Sequence, residues 1–187
     1  MGARVNVRST PIAGAVVVET RPHQDTRGAF TRLFCADALS AVIGSRQIVQ
    51  INQSRTLHAG AVRGMHFQRP PHAEMKLVRC IRGRVWDVVV DLRAGSPTFL
   101  RWHAQELDAE SARMLVIPEG CAHGFQVLEA NSELLYLHTA YYTPYAEAGV
   151  RHDDPRLGIR WPLAATDLSS RDQAHAPLSD DFAGIQV

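Results

Sequence analysis

The feature that most restricts the fold of this chain is a succession of short apolar runs, each bounded by turn-forming residues. Runs of this length with such boundaries are typical of β-strands, and their close spacing leaves little room for long helices. About ten of them in 187 residues predict an all-β domain, as a sandwich, jelly roll or barrel. The predicted strands are 14–19, 28–34, 47–54, 62–68, 75–81, 85–92, 100–107, 113–117, 124–128 and 134–142.

Helices are predicted at only two places. Leu39, Val42 and Ile43 follow helical spacing within 36–43, and a single turn is expected near 168–172. The segment 145–187 is otherwise rich in Pro and Asp and is predicted to be irregular. Because no low-complexity linker divides the chain, we expect one domain over 1–187.

The composition excludes several classes of protein. With 45% apolar residues, 21% charged residues and a formal charge of +1, the chain is neither disordered nor membrane-spanning. The balanced charge gives no overall attraction to nucleic acid or to an anionic membrane, so neither is expected as a partner. The three cysteines (Cys35, Cys80 and Cys121) lack CxxC spacing, which argues against a disulfide framework or zinc ribbon. No secretory signal is evident, so a cytoplasmic location is expected.

The only lysine of the chain, Lys76, lies in a predicted strand before Arg82-Gly83. If these two residues form a hairpin turn, Lys76 shares a face with Asp87 and Asp91 and is predicted to pair with one of them. Such a pair is ordinarily a surface salt bridge. Inside an apolar barrel it would instead mark a polar cavity, and the local pattern does not decide between the two.

Two histidine motifs suggest a cupin jelly roll. Strand alternation places His66 and Gln68 on one face, and a Pro-x-Gly-x-x-His turn carries His123 into the next strand. Cupins commonly bind a metal through such histidines. An amide at position 68 is a poor ligand for Fe, Zn or Cu, although His72 or Glu74 could replace it.

A longer ordered set of motifs resembles the dTDP-4-dehydrorhamnose 3,5-epimerase family of cupin-fold enzymes, over about residues 21–172. The motifs are Asp25-x-Arg27-Gly28-x-Phe30, Gln50-x-Asn52-x-Ser54, Arg63-Gly64-x-His66-x-Gln68, Lys76-Leu77-Val78-Arg79, Gly83-x-Val85-x-Asp87, Pro118-x-Gly120-x-Ala122-His123, Leu135-Tyr136, Tyr141-Tyr142-x-Pro144 and Leu168-Ser169.

The resemblance implies a catalytic set and no metal or nucleotide cofactor. His66 would be the base, Asp172 the carboxylate that orients it, Lys76 the cation beside the enolate oxygen, and Tyr136 the acid on the opposite face. A hydrogen next to a ketone is weakly acidic, so inversion needs a placed base and stabilisation of the enolate. The implied reaction is epimerisation at C3, C5 or both centres of a nucleotide-linked 4-keto-6-deoxy sugar.

The resemblance also implies a binding set for the nucleotide diphosphate and sugar. Its members are Arg27, Gln50, Asn52, Arg63, Gln68, His123, Tyr142 and Glu147, with Arg32 and Arg171 at the nucleotide end. Arg32 stands where relatives commonly have a carboxylate, and Arg171 where they commonly have a lysine. The nucleotide is therefore left open among dTDP, CDP and GDP.

By resemblance the protein is expected to be a cytoplasmic homodimer in which the N-terminal strands, about 1–20, join the partner's sheet. Two alternatives remain at this stage. One is a metal-dependent cupin that uses His66, His123 and either His72 or Glu74. The other is a cupin that binds a sugar nucleotide without turnover.

Overall fold

A computed structural model describes residues 5–187; the first four residues of the predicted N-terminal exchange segment lie outside the described residues. Within that range the strands are β1 Val5–Ser9, β2 Val16–Thr20, β3 His23–Asp25, β4 Gly28–Phe30, β5 Gln50–Thr56, β6 Val62–Gln68, β7 Lys76–Arg82, β8 Arg84–Asp91, β9 Trp102–Asp108, β10 Arg113–Ile117, β11 Cys121–Val127, β12 Ser132–His138 and β13 Glu147–Gly149. The helices are α1 Ser40–Ile43 and α2 Ser170–Ala174, with a 3₁₀ turn at Pro144–Ala146.

Most of the strands form two antiparallel sheets that face each other. One has six strands in the order β1-β2-β10-β7-β12-β5, and the other has five in the order β13-β6-β11-β8-β9. Their inner faces meet in an apolar core that includes Val78, Val89, Leu115 and Phe125. Strand alternation turns every second residue of each strand towards this interior. The all-β cupin-like jelly roll predicted from the sequence is confirmed, with only short helices.

The predicted hairpin at Arg82-Gly83 is wrong. β7 pairs with β10 and β12, whereas β8 pairs with β11 and β9, so the turn carries the chain from one sheet to the other. Gly83 has a φ of +71° there, a conformation that favours glycine. The predicted alternation survives, because Val78 of β7 and Val85 of β8 both pack into the core between the sheets.

Three observed strands, β1, β3 and β13, were not among the predicted ones. β1 is largely exposed, and β3 and β13 contain three residues each, so none has an apolar run. The predicted helix over 36–43 is reduced to α1, which begins at Ser40 after a turn. No helix in the described part of the chain is long and apolar enough to cross a bilayer.

The segment after β13 packs against the outer face of the five-stranded sheet. Its apolar side chains cover Val88 and Val90 of β8, and they are Leu157, Ile159, Trp161, Leu178, Phe182 and Ile185. Buried Asp154 joins two parts of this segment, because its carboxylate accepts the backbone N–H groups of Arg156 at 2.8 Å and of Leu178 at 2.6 Å. The cover brings α2 against β6, where it contributes a side chain to the site described below.

Candidate active site

The two sheets enclose a polar cavity of about 320 Å³ at one end of the apolar core. β6, β11 and β13 supply one wall, and β5, β7 and β12 supply the other. The lining includes Asn52, Ser54, Arg63, His66, Gln68, Glu74, Lys76, His123, Tyr136, His138, Tyr142, Glu147 and Arg171. A neighbouring cavity of about 590 Å³ shares Arg63, His66 and Arg171 with it. The sequence-derived catalytic set and most of the binding set therefore meet at one place.

His66 on β6 is held by Asp172 on α2. The imidazole Nε2 and the carboxylate Oδ1 lie 2.7 Å apart, and the Gly64 backbone N–H donates to Oδ2 at 3.3 Å. Ser169 caps α2 by accepting the N–H of Asp172, which fixes the carboxylate relative to the helix start. Burial alone would raise the pKa of Asp172, but its hydrogen bond and charge interaction with His66 hold that pKa below its ordinary value. An ionised Asp172 requires the proton on Nε2, which leaves Nδ1 of the neutral ring as an acceptor.

Lys76 on β7 pairs with Glu74, and the predicted pairing with Asp87 or Asp91 is wrong. Its Nζ lies 3.2 Å from Glu74 Oε1 and donates to the His66 carbonyl at 3.3 Å. The prediction required β7 and β8 to be paired, and they belong to different sheets. Asp91 instead binds Arg93 at the far end of β8. The pair is not a surface salt bridge, because Lys76 is only 9% exposed and lines the polar cavity.

Tyr136 on β12 lies on the wall opposite His66. Its hydroxyl and the Ser54 hydroxyl are 2.9 Å apart, and its ring packs edge-on to His123 and nearly parallel to His138. Burial raises the pKa of Tyr136, more than the hydrogen bond with Ser54 lowers it. The phenol therefore keeps its proton at neutral pH and can act as a donor.

Two further imidazole–carboxylate pairs face the cavity. His123 Nε2 lies 2.8 Å from Oδ1 of fully buried Asp87, and His138 Nδ1 lies 2.7 Å from Glu74 Oε2. Burial raises the pKa of Asp87, although the charge of His123 opposes the shift. Sequence reasoning missed His138, and the alternation along β12, which puts it on the same face as Tyr136, is the signal that could have found it.

The residues of the metal-dependent alternative lie in separate contacts. Glu74 and His123 belong to the pairs just described, while His72 contacts the hydroxyl of Tyr145 at 2.9 Å. Within residues 5–187, one group of three potential ligands is close together, namely His66, Asp172 and His175. His175 had not been singled out in the sequence, and it lies edge-on to His66 with 6.3 Å between ring centroids.

Five further residues of the predicted binding set lie in or beside the cavity, and their hydrogen bonds differ. Glu147 accepts hydrogen bonds from Tyr142 at 2.6 Å and Arg171 at 2.8 Å, so these three form one edge of the cavity. Gln68 is buried and accepts the backbone N–H of Thr143 at 2.7 Å. Gln50 lies outside the lining and accepts the backbone N–H of Tyr142 at 3.0 Å.

The structure does not bring Arg27 and Arg32 to the cavity. Arg27 occupies the turn of the β3–β4 hairpin, where it pairs with Asp25 at 2.6 Å and its side chain is 87% exposed. Arg32 is exposed just beyond the same hairpin. The hairpin also exposes Phe30, so it presents a cation and an aromatic ring to solvent.

Comparisons with known proteins match this chain along most of its length. The sequence model of the dTDP-4-dehydrorhamnose 3,5-epimerase family matches residues 9–180. A dTDP-4-dehydrorhamnose 3,5-epimerase of Salmonella typhimurium is 42% identical over 176 residues, 93% of this chain and 95% of that protein. A dTDP-4-dehydrorhamnose 3-epimerase of Streptomyces niveus is 41% identical over 170 residues, 89% and 82% of the two chains. The crystal structure of a Legionella pneumophila dTDP-6-deoxy-D-glucose-3,5-epimerase with dTDP-4-keto-L-rhamnose has a TM-score of 0.91 and 37% identity, covering 98% of this chain and 99% of that chain.

Proposed function

Because the chain belongs to the dTDP-4-dehydrorhamnose 3,5-epimerase family, we propose that His66 is the base with which it removes a proton beside the ketone of its sugar. The protein is an isomerase that epimerises a nucleotide-linked 4-keto-6-deoxy sugar. The two alternatives, a metal-dependent cupin and a binding protein without turnover, find no support in relatives that are named epimerases.

One observation carries the proposed mechanism: His66, oriented by Asp172 at 2.7 Å, faces Tyr136 from the opposite wall of the same cavity. Inversion requires removal of a proton from one face of the carbon and delivery of another to the opposite face. Nδ1 of His66 takes the first proton, and the Tyr136 hydroxyl supplies the second. A placed base and acid each contribute about 10²- to 10⁴-fold to such a reaction.

Lys76 stabilises the enolate that forms between these two steps. Its ammonium is buried in the wall of the cavity that His66 also lines, and it donates to the His66 carbonyl at 3.3 Å. A cation acts more strongly on a developing oxyanion in such a water-poor site than it does in bulk water.

The neighbouring, larger cavity is proposed to receive the diphosphate and nucleoside. Arg55, Arg63 and Arg171 line it, and guanidinium groups suit phosphate oxygens by charge and by shape. The Legionella relative is described in complex with a dTDP sugar, which favours dTDP here over CDP or GDP. Competition by dTDP, CDP and GDP for substrate tests this choice; the strongest inhibition by CDP or GDP would reject it.

A homodimer is proposed, in which the N-terminal strands join the partner's sheet and the β3–β4 hairpin comes close to the partner's cavity. β1 lies at an open edge of the six-stranded sheet, and Arg27 and Phe30 are exposed on the hairpin. Sedimentation velocity should give about twice the mass of one chain. Arg27→Ala should raise KM for the sugar nucleotide; a monomer with full activity would contradict the proposal.

Proton NMR of dTDP-4-keto-6-deoxyglucose incubated with the enzyme in D₂O tests the reaction directly. The wild-type protein should introduce deuterium at C3, C5 or both, and the pattern shows which centres are inverted. His66→Ala should abolish exchange at every position, since no other group is proposed to remove the proton. Undiminished exchange in that variant would refute the assignment of His66.

Tyr136→Phe separates the two proton transfers. Removing the phenol leaves the base intact, so deuterium should still enter from the face of His66 while net inversion falls by about 10²-fold or more. The same NMR experiment measures both quantities. Inversion at the wild-type rate would remove Tyr136 from the mechanism.

A further inference from the structure

The cavity contains a hydrogen-bonded cluster that the mechanism above does not use in full. The carboxylate of Glu74 contacts Lys76 Nζ through Oε1 at 3.2 Å and His138 Nδ1 through Oε2 at 2.7 Å. Asn52 Nδ2 lies 3.4 Å from the other nitrogen of the same imidazole. Glu74, Lys76 and His138 are each only 9% exposed. One buried carboxylate is thus shared between an ammonium and an imidazole.

The strand register explains why a carboxylate is needed at this point. Lys76 and His138 are direct cross-strand neighbours on β7 and β12, and both side chains face the cavity. Two basic groups placed side by side in a poorly solvated wall repel each other whenever the imidazole is protonated. Burial alone would raise the pKa of Glu74, but its hydrogen bond with His138 and the charge of Lys76 together lower it by more, so Glu74 stays ionised between them.

The same contacts determine orientation. Because ionised Glu74 accepts a hydrogen bond from Nδ1 of His138, the neutral ring has its second nitrogen free to accept from the Asn52 amide. With both carboxylate oxygens engaged, Glu74 has little freedom to rotate. Lys76 is then held from two sides, by Glu74 and by the His66 carbonyl. A four-carbon side chain otherwise has many rotamers, and an ammonium that moves stabilises an oxyanion less well.

We propose that Glu74 and His138 are positioning residues for Lys76, which hold its ammonium at the point where the enolate oxygen develops. The inference rests on the proposed function, since it needs Lys76 to act on the enolate. It adds two residues, Glu74 in the loop just before β7 and His138 at the end of β12, whose effect on turnover passes entirely through the lysine.

Glu74→Gln is the first test. The amide keeps the size of the side chain but has a single acceptor oxygen, so it can accept from Lys76 or from His138 but not from both. Loss of one charge-assisted hydrogen bond predicts a fall in kcat of about 10- to 100-fold. KM should change less than about threefold, because the ammonium is needed most in the transition state. If Glu74 only neutralised Lys76, its removal would raise kcat; an unchanged or raised kcat therefore overturns the proposal.

A matched pair at His138 tests the same idea without changing the carboxylate. The amide nitrogen of Asn can occupy the place of imidazole Nδ1, so His138→Asn should keep the hydrogen bond to Glu74 and retain kcat within about threefold. His138→Leu removes the donor and should lower kcat by about tenfold or more. Equal kcat values for the two variants would overturn the proposal. If thermal unfolding shows that Glu74→Gln does not fold, the comparison of His138→Asn with His138→Leu still tests the proposal.

Two further variants separate this inference from the proposed function. Glu106→Gln removes another salt-bridged glutamate, which pairs with Arg84 outside the cavity, and should leave kcat unchanged. Lys76→Met should abolish turnover. If it does, and Glu74→Gln has no effect, the positioning role fails while the enolate role of Lys76 stands. If Lys76→Met keeps wild-type kcat, both fail.

Discussion

Each of the three imidazoles described in the cavity wall is paired with a carboxylate, yet the three pairs differ in what surrounds them. Asp172 also accepts the backbone N–H of Gly64 and is ionised, whereas Asp87 has no partner for Oδ2 among the described residues and its pKa is raised by burial. Only the His66 ring combines a charged orienting partner with substantial exposure to the cavity, its side chain being 24% exposed. That difference supports the proposal that His66 is the base.

Asp172→Asn tests the dependence of the base on its partner. The amide would donate to Nε2 of His66 and force the proton onto Nδ1, so the nitrogen that is proposed to take the proton would no longer be basic. A fall in kcat of about 10²- to 10⁴-fold is expected, with little change in the melting temperature. Kinetics of sugar epimerisation measure the effect. Asp153→Asn, which breaks a surface pair with Arg151, is the control and should be silent; equal activities of the two variants would contradict the proposed role.

Single residues could be predicted from the sequence to different extents. Alternation along the strands could place His66 and Gln68 on one face, but Asp172 lies 106 positions from its histidine and looks like an ordinary charge on a surface helix. Only the resemblance to a family singled it out. The partner of Lys76 could not be predicted, because the choice among Glu74, Asp87 and Asp91 depends on which strands are neighbours.

At the scale of elements, β6 and β11 bring the imidazoles of His66 and His123 side by side through an unusually close approach. His66 and His123 are paired in the register of the two strands. A Cβ added to Gly64 would lie 2.5 Å from the Cα of Gly124 and 2.8 Å from the His123 carbonyl oxygen, with φ at +128°. The glycines at this crossing therefore set the spacing of the wall that carries His66.

Gly64→Ala should destabilise the fold by about 2 to 5 kcal/mol, because the new methyl group meets backbone atoms and the positive φ adds strain. Gly95→Ala is a matched control, with φ at +72° but nothing within 4 Å of the added atom. It should cost only about 1 to 2 kcal/mol. Urea denaturation of both variants measures the difference, and equal losses would show that the close approach is relaxed at little cost.

The bounds of the strands were predicted well where the strands are apolar, and the strands without an apolar run were missed. β6 and β10 match their predicted bounds, because buried alternation and turn residues mark both ends. The hairpin at Arg82-Gly83 was predicted wrongly because a glycine turn between two apolar strands is compatible either with a hairpin or with a change of sheet. That decision is made by packing between the sheets, which no local pattern records.

At the scale of the whole molecule, a buried cluster around Asp91 joins distant parts of the chain. Asp91 accepts hydrogen bonds from Arg93 at 2.7 and 2.9 Å and from Thr98 at 2.6 Å. Arg93 also donates to the Ala13 carbonyl at 2.6 Å and forms a β-bridge with Ile185. The cluster therefore links the loop before β2, the end of β8 and the C-terminal segment, at the opposite end of β8 from its turn with β7.

This cluster predicts a pH dependence of stability. Burial would raise the pKa of Asp91, but its hydrogen bonds with Arg93, Ser96 and Thr98 outweigh burial and lower it from 3.8 to about 2. Since the folded state binds this proton less readily, the contribution is present above pH 4–5 and is lost as the pH falls towards 2. The shift corresponds to about 2 kcal/mol.

The free energy of unfolding of Asp91→Asn should therefore decline less between pH 5 and pH 2 than that of the wild type, by about 2 kcal/mol. Urea denaturation at several pH values measures both curves, with the exposed Asp37→Asn as the control. Parallel curves for Asp91→Asn and the wild type would contradict the role of the cluster.

The order in which the site is synthesised follows from the position of α2. It comes after every strand of both sheets in the chain, so a ribosome makes the imidazole of His66 long before it makes the carboxylate that holds it. Asp172 is the group that holds the proton on Nε2 of this ring. The two sheets therefore carry the imidazole, but its orientation is completed only by a segment that is made after them.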